Sequence, residues 1–500
     1  MRKTGLLVVG ALSAGLALMA PAAAGPASVG PLSHASGPSP FETCTVGAST
    51  IPGEKNYPDA EVEPFVAVNP TNASNVLGVF QQDRWSTGGA HGLVSAFSFD
   101  GGTTWGRVFP HFSTCSGGTQ ANGGNYDRAS DPWVSIGPDG IAYQVSLSVS
   151  ADLTTSAILA STSSDGGQTW SEPATIKKDV SPNHFVFNDK ESVTADPHHP
   201  GTAYVVWDRS RFPSDSANFN AGHSFAFRGD PFFSMTIDGG HTWSTPRDIM
   251  PLNQNVFTIG NQISVLPDGT LVDVFLFGKG SGLDQPNTSL EGVERSTDGG
   301  RTWSRPIVIT DNQVANDVDP DTGAPMRTGA DVGGGIPDIA ADPVSGALYV
   351  VFEDSRFSGG THNDIALSKS KDAGLTWSAP IKVNQTPNGA LAFTPSVDVL
   401  PNGTVGVTYY DLRNNTPDPN TLPTDYFIVH SHNGGATWDA EARITPVSFD
   451  DTTAPVARGL FLGDYQGLAD DGAVFKPLFI QTNSGNIANR TDAFGTTVTP

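Results

Sequence analysis

The chain has 500 residues, a formal net charge of −24, 56 glycines and 38 prolines. A chain this anionic repels nucleic acid and anionic membranes on average, so any acidic ligand is confined to a local basic cluster. Abundant Gly and Pro, with short Val-, Ile- and Tyr-rich runs, indicate an all-β chain with many turns.

Residues 1–24 read as an export signal. Arg2 and Lys3 form a basic start, Gly5 to Met19 an apolar stretch, and Pro21 to Ala24 a small-residue cleavage site. The apolar stretch is too short, and too rich in Gly and Ala, to span a bilayer, and no later segment reaches spanning length. The expectation is a secreted, extracellular protein that begins near Gly25, with an N-terminal segment over 25–56 and one large unit over 57–500. Cys44 and Cys115 are the two cysteines. In an exported chain they are candidates for a disulfide that closes the N-terminal segment onto the first repeat, with two free thiols as the alternative. No Cys or His cluster has zinc-site spacing.

From residue 98 onward the motif Ser-x-Asp-x-Gly-x-Thr-Trp occurs six times. Its acidic position is held by Asp100, Asp165, Asp238, Asp298, Asp372 and, in the last copy, Asn433. The third copy opens on Thr236 in place of Ser. The Asp and Ser side chains are suited to bond backbone N–H groups inside a turn, Gly supplies a positive φ, and Trp buries an apolar face as the next strand starts. The flanking sequence repeats as well. The fifth repeat shows four strands: Ile336 to Asp342, Leu348 to Phe352, Ile365 to Ser370 and Ser378 to Val383. Inner-strand turns number seven, one more than the motifs. The expected fold is a β-propeller of four-stranded antiparallel blades, with seven blades favoured and six as the alternative. The seventh set, Phe461 to Val498, has no motif and supplies three strands; the segment after Phe41 is expected to add the fourth and close the ring.

The motif resembles the Asp-box (BNR) repeat of the sialidase superfamily, and the resemblance covers most of the chain after residue 60. It implies that the motif aspartates are structural and that the active site lies on the face opposite the turns. Second strands end on that face at Asp83-Arg84, Asp208-Arg209-Ser210-Arg211, Asp354-Ser355-Arg356 and Asp411-Leu412-Arg413. Inner strands begin there near Asp127-Arg128, Asp189-Lys190-Glu191, Arg327 and Asp464-Tyr465. Arg84, Arg128, Arg209, Arg211, Arg327, Arg356 and Arg413 are therefore candidate ligand-binding residues, since guanidinium forks suit carboxylates. The plainer reading is a ring of salt bridges that tie neighbouring blades.

The resemblance further implies three arginines for a substrate carboxylate, a Tyr nucleophile with a Glu partner, and an Asp acid/base. The chain departs from this at two places. Its first inner strand, Val62-Glu63-Pro64-Phe65-Val66, has no arginine, and the loop Trp85 to Gly92 has no Asp, only His91. Arg84 carries over as a carboxylate ligand. The remaining catalytic candidates are Asp208 and Glu191 as an acid/base pair, and Tyr410 beside Asp411 or Tyr465 beside Asp464 as nucleophile, with Glu191 or Glu353 as activator. No cofactor is expected. One calcium candidate exists in the acidic loop Asp317, Asp319, Asp321, although Thr328 stands where a bidentate Glu belongs. The mouth then reads as a glycoside hydrolase site, as a non-catalytic site for a glycan or another extracellular partner, or as a structural module held by salt bridges.

Overall fold

The computed structural model describes residues 25–181, 186–212, 227–280, 288–328, 335–387 and 389–500, and the expected export signal over 1–24 lies outside them. In the first blade Glu61–Val68 pairs with Val76–Arg84, which pairs with Ala90–Ser98, which pairs with Gly106–Val108, all antiparallel. Further inner strands are Arg128–Ile136, Val186–Ala195, Val256–Val265, Asp338–Ala341, Ala392–Val399 and Gly467–Asp470, and each opens another such group. The pairings of the described residues thus divide into seven four-stranded antiparallel groups. Their inner strands neighbour one another in chain order, and the last lies against the first. The molecule is an all-β propeller.

The last group takes its outer strand from the N-terminus. Ser33–His34 pairs with Thr491–Gly495, and Ser28–Val29 pairs with Val498–Thr499. The closing strand therefore precedes Phe41 rather than following it. Phe41 is buried and packs edge-on to Phe109, so its segment serves as apolar cover for the first blade. Cys44 and Cys115 are bonded to each other across 71 residues, which ties this cover to the loop after the first blade.

Adjacent blades share apolar cores because alternate residues of each strand face the neighbouring sheet. Leu77 and Val79 of the first blade meet Val134 and Ala142 of the second. Val66 and Phe80 meet Phe475 and Leu478, which seals the last blade to the first. The motif tryptophans act at these seams. Trp170 packs into the core of the preceding blade, as do Trp243, Trp303, Trp377 and Trp438, and Trp105 reaches back to the last blade.

The motif turns explain how this placement is held. In the first, Ser98 Oγ accepts from Gly102 N–H at 2.9 Å, Asp100 Oδ1 accepts from Thr104 N–H at 2.9 Å, and Asp100 Oδ2 accepts from Thr104 Oγ1 at 2.7 Å. Gly102 sits at φ 89°, which a Cβ would oppose. Asp165, Asp238, Asp298 and Asp372 make the same contacts. Asn433 substitutes its amide, accepting from Thr437 N–H at 2.9 Å and donating to Thr437 Oγ1 at 2.7 Å. The carboxylates of Asp100, Asp238, Asp298 and Asp372 are pulled down to about 2 by these hydrogen bonds, the threonine hydroxyl first.

Candidate ligand cleft at the mouth of the ring

Inner strands run from the mouth, where second strands end, toward the face that carries the motif turns. Five of them are bulged near their start, with register shifts at 62/65, 130/133, 189/192, 259/262 and 393/396. Each bulge holds one residue at positive φ: Glu63 (54°), Asp131 (49°), Lys190 (51°), Gly260 (73°) and Thr394 (48°). A left-handed non-glycine residue costs about 1–3 kcal/mol. A bulge re-aims its side chain, and here three ionisable ones meet near the ring axis.

Lys190 is the hub. Its Nζ lies 3.1 Å from Glu63 Oε1, 2.9 Å from Asp131 Oδ1 and 2.6 Å from Asp464 Oδ2. One ammonium thus ties carboxylates from three other blades. Burial alone would lower its pKa, but Asp131, Asp464 and Glu63 outweigh that and hold it well above the usual lysine range. Arg327 forks onto Asp464, with Nη2 at 2.8 Å and Nε at 3.2 Å. Burial would raise Asp464, yet Arg327 and then Lys190 push it far below the usual carboxylate range.

Above the hub opens a cleft of about 340 Å3, lined by Glu63, Arg84, Asp131, Asp189, Lys190, Arg327 and Arg458, with Leu147, Val149, Leu153, Phe187 and Ile259 as its apolar wall. Three carboxylates face four cations, and Asp464 behind them balances the count. In a chain of net charge −24, this is a locally neutral basin. Arg84 is buried, donates from Nη1 to Gln81 Oε1 at 2.6 Å, stands 3.9 Å from Glu63 Oε2, and covers the Phe461 ring at 4.8 Å. Its Nε–H has no hydrogen-bond partner. Desolvation lowers its pKa to about 10. Arg458 is exposed on the rim at φ 70°. Burial, only partly offset by Lys190, raises Glu63 to about 7; burial and the charge of Asp131 raise the half-buried Asp189 to about 6.

Beneath the hub the channel is plugged by aromatic rings. Phe65 stacks on Trp133 at 3.7 Å between centroids, and Tyr465 lies 5.1 Å from Trp133. A second cavity of about 270 Å3 lies further along the inner strands, lined by Ser135, Ala195, Val265, Ala341 and Asp398 among others.

Of the seven arginines singled out in the sequence, Arg84 and Arg327 line the cleft. Arg128 is buried beneath it as a clamp, bonded to Glu54 at 2.6 Å, Gly47 O at 2.7 Å and Gly88 O at 2.8 Å, so it anchors the N-terminal segment. Arg209 forks onto Asp179, Arg211 pairs with Asp230 at 3.4 Å, Arg356 forks onto Asp354, and Arg413 is held by Asp411 and Glu441. Arg209, and Arg356 through Asp311, reach the preceding blade, whereas Arg211 and Arg413 pair within their own blades. Asp208 accepts from Thr258, Gly260 and Asn261 at 2.9, 3.1 and 2.6 Å, which binds the third blade to the fourth away from the cleft. Glu191 is buried with neither carboxylate oxygen hydrogen-bonded, and desolvation drives its pKa well above the usual carboxylate range.

The tyrosines are committed elsewhere. Tyr410 donates to Ile480 O at 2.6 Å, and Tyr465 donates to Pro132 O at 3.2 Å. Asp411 is neutralised by Arg413 and bonded by Thr386. Glu353 is buried and accepts from Thr394 N–H at 2.8 Å. In the acidic loop, Asp317 accepts from Thr328 and Asn363, Asp319 from Thr322 and Asp321 N–H, and Asp321 from Asn415. The three carboxylates are bonded to different partners, and Thr328, at the position where a calcium loop would place a ligand, donates to Asp317. Glu63, Asp131, Lys190 and Arg458 join the cleft although sequence reasoning gave them no binding role. The signal for two of them was an acid-Pro-aromatic triplet repeated at Glu63-Pro64-Phe65 and Asp131-Pro132-Trp133.

No protein-family model matches the chain, and no curated protein matches it. Among solved structures it is similar to the Hadza microbial sialidase Hz136, at 15% identity over 85% of this chain and 74% of that one, with a TM-score of 0.48. It is also similar to the Penicillium chrysogenum alpha-L-arabinanase complexed with arabinobiose, at 12% identity over 94% and 98% of the two chains (TM-score 0.45). A third similar structure is the GH93 alpha-L-arabinofuranosidase of Fusarium graminearum, at 14% identity over 71% and 92% (TM-score 0.43).

Proposed function

We propose that the protein is a secreted, seven-bladed, glycan-directed propeller whose mouth cleft takes a carbohydrate and carries acid–base groups for glycoside hydrolysis. The observation that carries this reading is the convergence of Glu63, Asp131 and Lys190, all at left-handed bulges, on one cleft with Arg84 and Arg327. Backbone strain repeated at equivalent positions is spent on aiming charged side chains, as expected of a functional site. Hydrolysis of a glycoside needs one carboxyl that holds a proton and one that is ionised. Asp189, half-buried and raised to about 6, serves as proton donor to the leaving oxygen. Asp131, 2.9 Å from Lys190, is the paired carboxylate beside it. The Arg84 guanidinium in the cleft wall and the rim guanidinium of Arg458 suit sugar hydroxyls or a sugar carboxylate. A Tyr nucleophile has no part in this scheme, since the Tyr410 and Tyr465 hydroxyls are bonded to backbone carbonyls.

The test is turnover of fluorogenic sialosides and arabinofuranosides by purified chain, beside Asp189→Asn and Arg84→Ala. Turnover that falls at least about 100-fold in Asp189→Asn, with an unchanged unfolding profile, is the expected result. Equal rates in wild type and Asp189→Asn would overturn the assignment. A second reading, binding without catalysis, is favoured by the closed ion-pair hub of Lys190. It predicts glycan capture without turnover, lost in Arg84→Ala.

A further inference from the structure

The sixth motif turn differs from the other five in a way the fold does not require. Its serine, Ser431, is flanked by His430 and His432, and the residue after its tryptophan is Asp439. In four other turns that last position is a serine: Ser171, Ser244, Ser304 and Ser378 each accept an N–H from the facing strand at 3.0–3.1 Å. Residues 430 and 432 are two apart at the end of strand Pro423–Ser431, so their side chains share one face while Ser431 points into the turn. Asp439 is joined to the same strand by its N–H, which donates to His430 O at 3.0 Å.

The three side chains converge. His430 Nε2 lies 3.3 Å from Asp439 Oδ2, His432 Nε2 lies 3.6 Å from the same oxygen, and one donor atom from each residue falls within 4.8 Å of the other two. Two ligands about 2.0–2.1 Å from a tetrahedral ion are about 3.3–3.4 Å apart, so both distances to the carboxylate are close to ligand edges. His430 is 1% exposed, yet neither of its ring nitrogens makes a hydrogen bond. A buried imidazole whose nitrogens make no hydrogen bond is costly unless something else satisfies them. His432 Nδ1 lies 3.0 Å from Thr404 Oγ1, an outer contact that orients the ring and leaves Nε2 to face Asp439. His432 is 45% exposed, so the cluster opens to solvent on one side. Among the described residues this is the one group of three such side chains with this convergence.

We propose that His430, His432 and Asp439 bind a divalent transition cation of the zinc type, with water completing the coordination. Two imidazoles and one carboxylate are a donor set for zinc, cobalt or nickel rather than calcium. The ion would clip strand Pro423–Ser431 to the segment that follows Trp438, at the turn where Asn433 replaces the acidic residue of the other five. It lies at the turn face, remote from the mouth cleft, and is independent of the glycan reading.

The experiment uses the full, untagged chain after chelator treatment, titrated with zinc chloride by calorimetry and with Co(II) by visible absorption. Expected are one zinc per chain and the intense visible band of four-coordinate Co(II). His432→Gln removes the solvent-facing ligand, and Asp439→Ser installs the residue found in four of the other turns. Each is expected to weaken zinc binding at least tenfold, on the order of a perturbed metal site, with wild-type circular dichroism. Absence of saturable zinc binding would overturn the proposal. So would binding unchanged in both variants, which would locate the ion elsewhere, for instance at His198 and His199.

Discussion

Replacing Lys190 by Met removes the ammonium and keeps most of the side-chain volume. At an effective dielectric of about 20, one unit-charge pair 3 Å apart is worth about 5.5 kcal/mol gross. Three such pairs at 2.6, 2.9 and 3.1 Å cannot be summed, because desolvation of the lysine and of its partners offsets most of the gain. The relevant quantity is the cost of orphaning buried partners, about 3–5 kcal/mol. The variant should therefore lose about that much at pH 8, as read by urea unfolding followed through tryptophan fluorescence. Its pH dependence is a sharper check. Glu63 already stands raised to about 7 by burial despite Lys190. A carboxyl raised on folding contributes stability fully below its unfolded value, near 4.5, and loses it as pH rises through the folded value. Without Lys190 that value rises further, so the variant's deficit is largest at pH 8 and shrinks by pH 5.5 as the orphaned acids take up protons. A deficit under about 1 kcal/mol at pH 8, or one that widens on acidification, would refute the hub.

Two other expectations concern the scaffold. Cys44→Ser with Cys115→Ser opens a loop of 71 residues, and chain-entropy arguments put the loss at about 4.4 kcal/mol, checked by urea midpoints of oxidised wild type and variant. Asp372→Asn copies the sixth turn, so its urea midpoint at pH 7 should stay close to wild type. Because hydrogen bonds from Thr376 hold Asp372 down to about 2, its contribution is present above about 4 and lost as pH falls toward 2; the variant should lose less stability over that window.

The propeller was legible because its repeat is dictated locally: Ser, Asp, Gly and Trp at fixed spacing satisfy a turn's own N–H groups and seat a ring on the preceding blade, and these contacts recur from Asp100 to Asn433. Where the ring closes was less legible, since Ser33–His34 is a two-residue edge strand with no pattern of its own. The cleft was legible only in outline. Of the Asp-Arg pairs at the ends of second strands, Arg84 lines the cleft, but Arg209, Arg356 and Arg413 satisfy acids within hydrogen-bond reach on their own strand or on the preceding blade. Which acids and which lysine face the axis depends on the bulges, and a bulge at Lys190 leaves no mark in hydrophobic alternation. The convergence of His430, His432 and Asp439 was hidden for a related reason: the turn brings together residues whose spacing in sequence matches no zinc pattern.

The bulges also explain how one ring hosts different chemistry at neighbouring positions. The left-handed residue lies within the first five residues of each bulged inner strand. Glu63, Asp131 and Lys190 occupy it in three consecutive blades, and Gly260 and Thr394 in two others. The charged trio thus lies to one side of the axis, and so does the cleft, which takes its lining from the first four blades and from Arg327 and Arg458. In the fourth blade, Gly260 brings its backbone close to Ile336, which a Cβ would meet at 2.7 Å. The asymmetry follows from which residue each blade places at its bulge, and it makes the charged side the part of the mouth where a ligand has room and polar partners together.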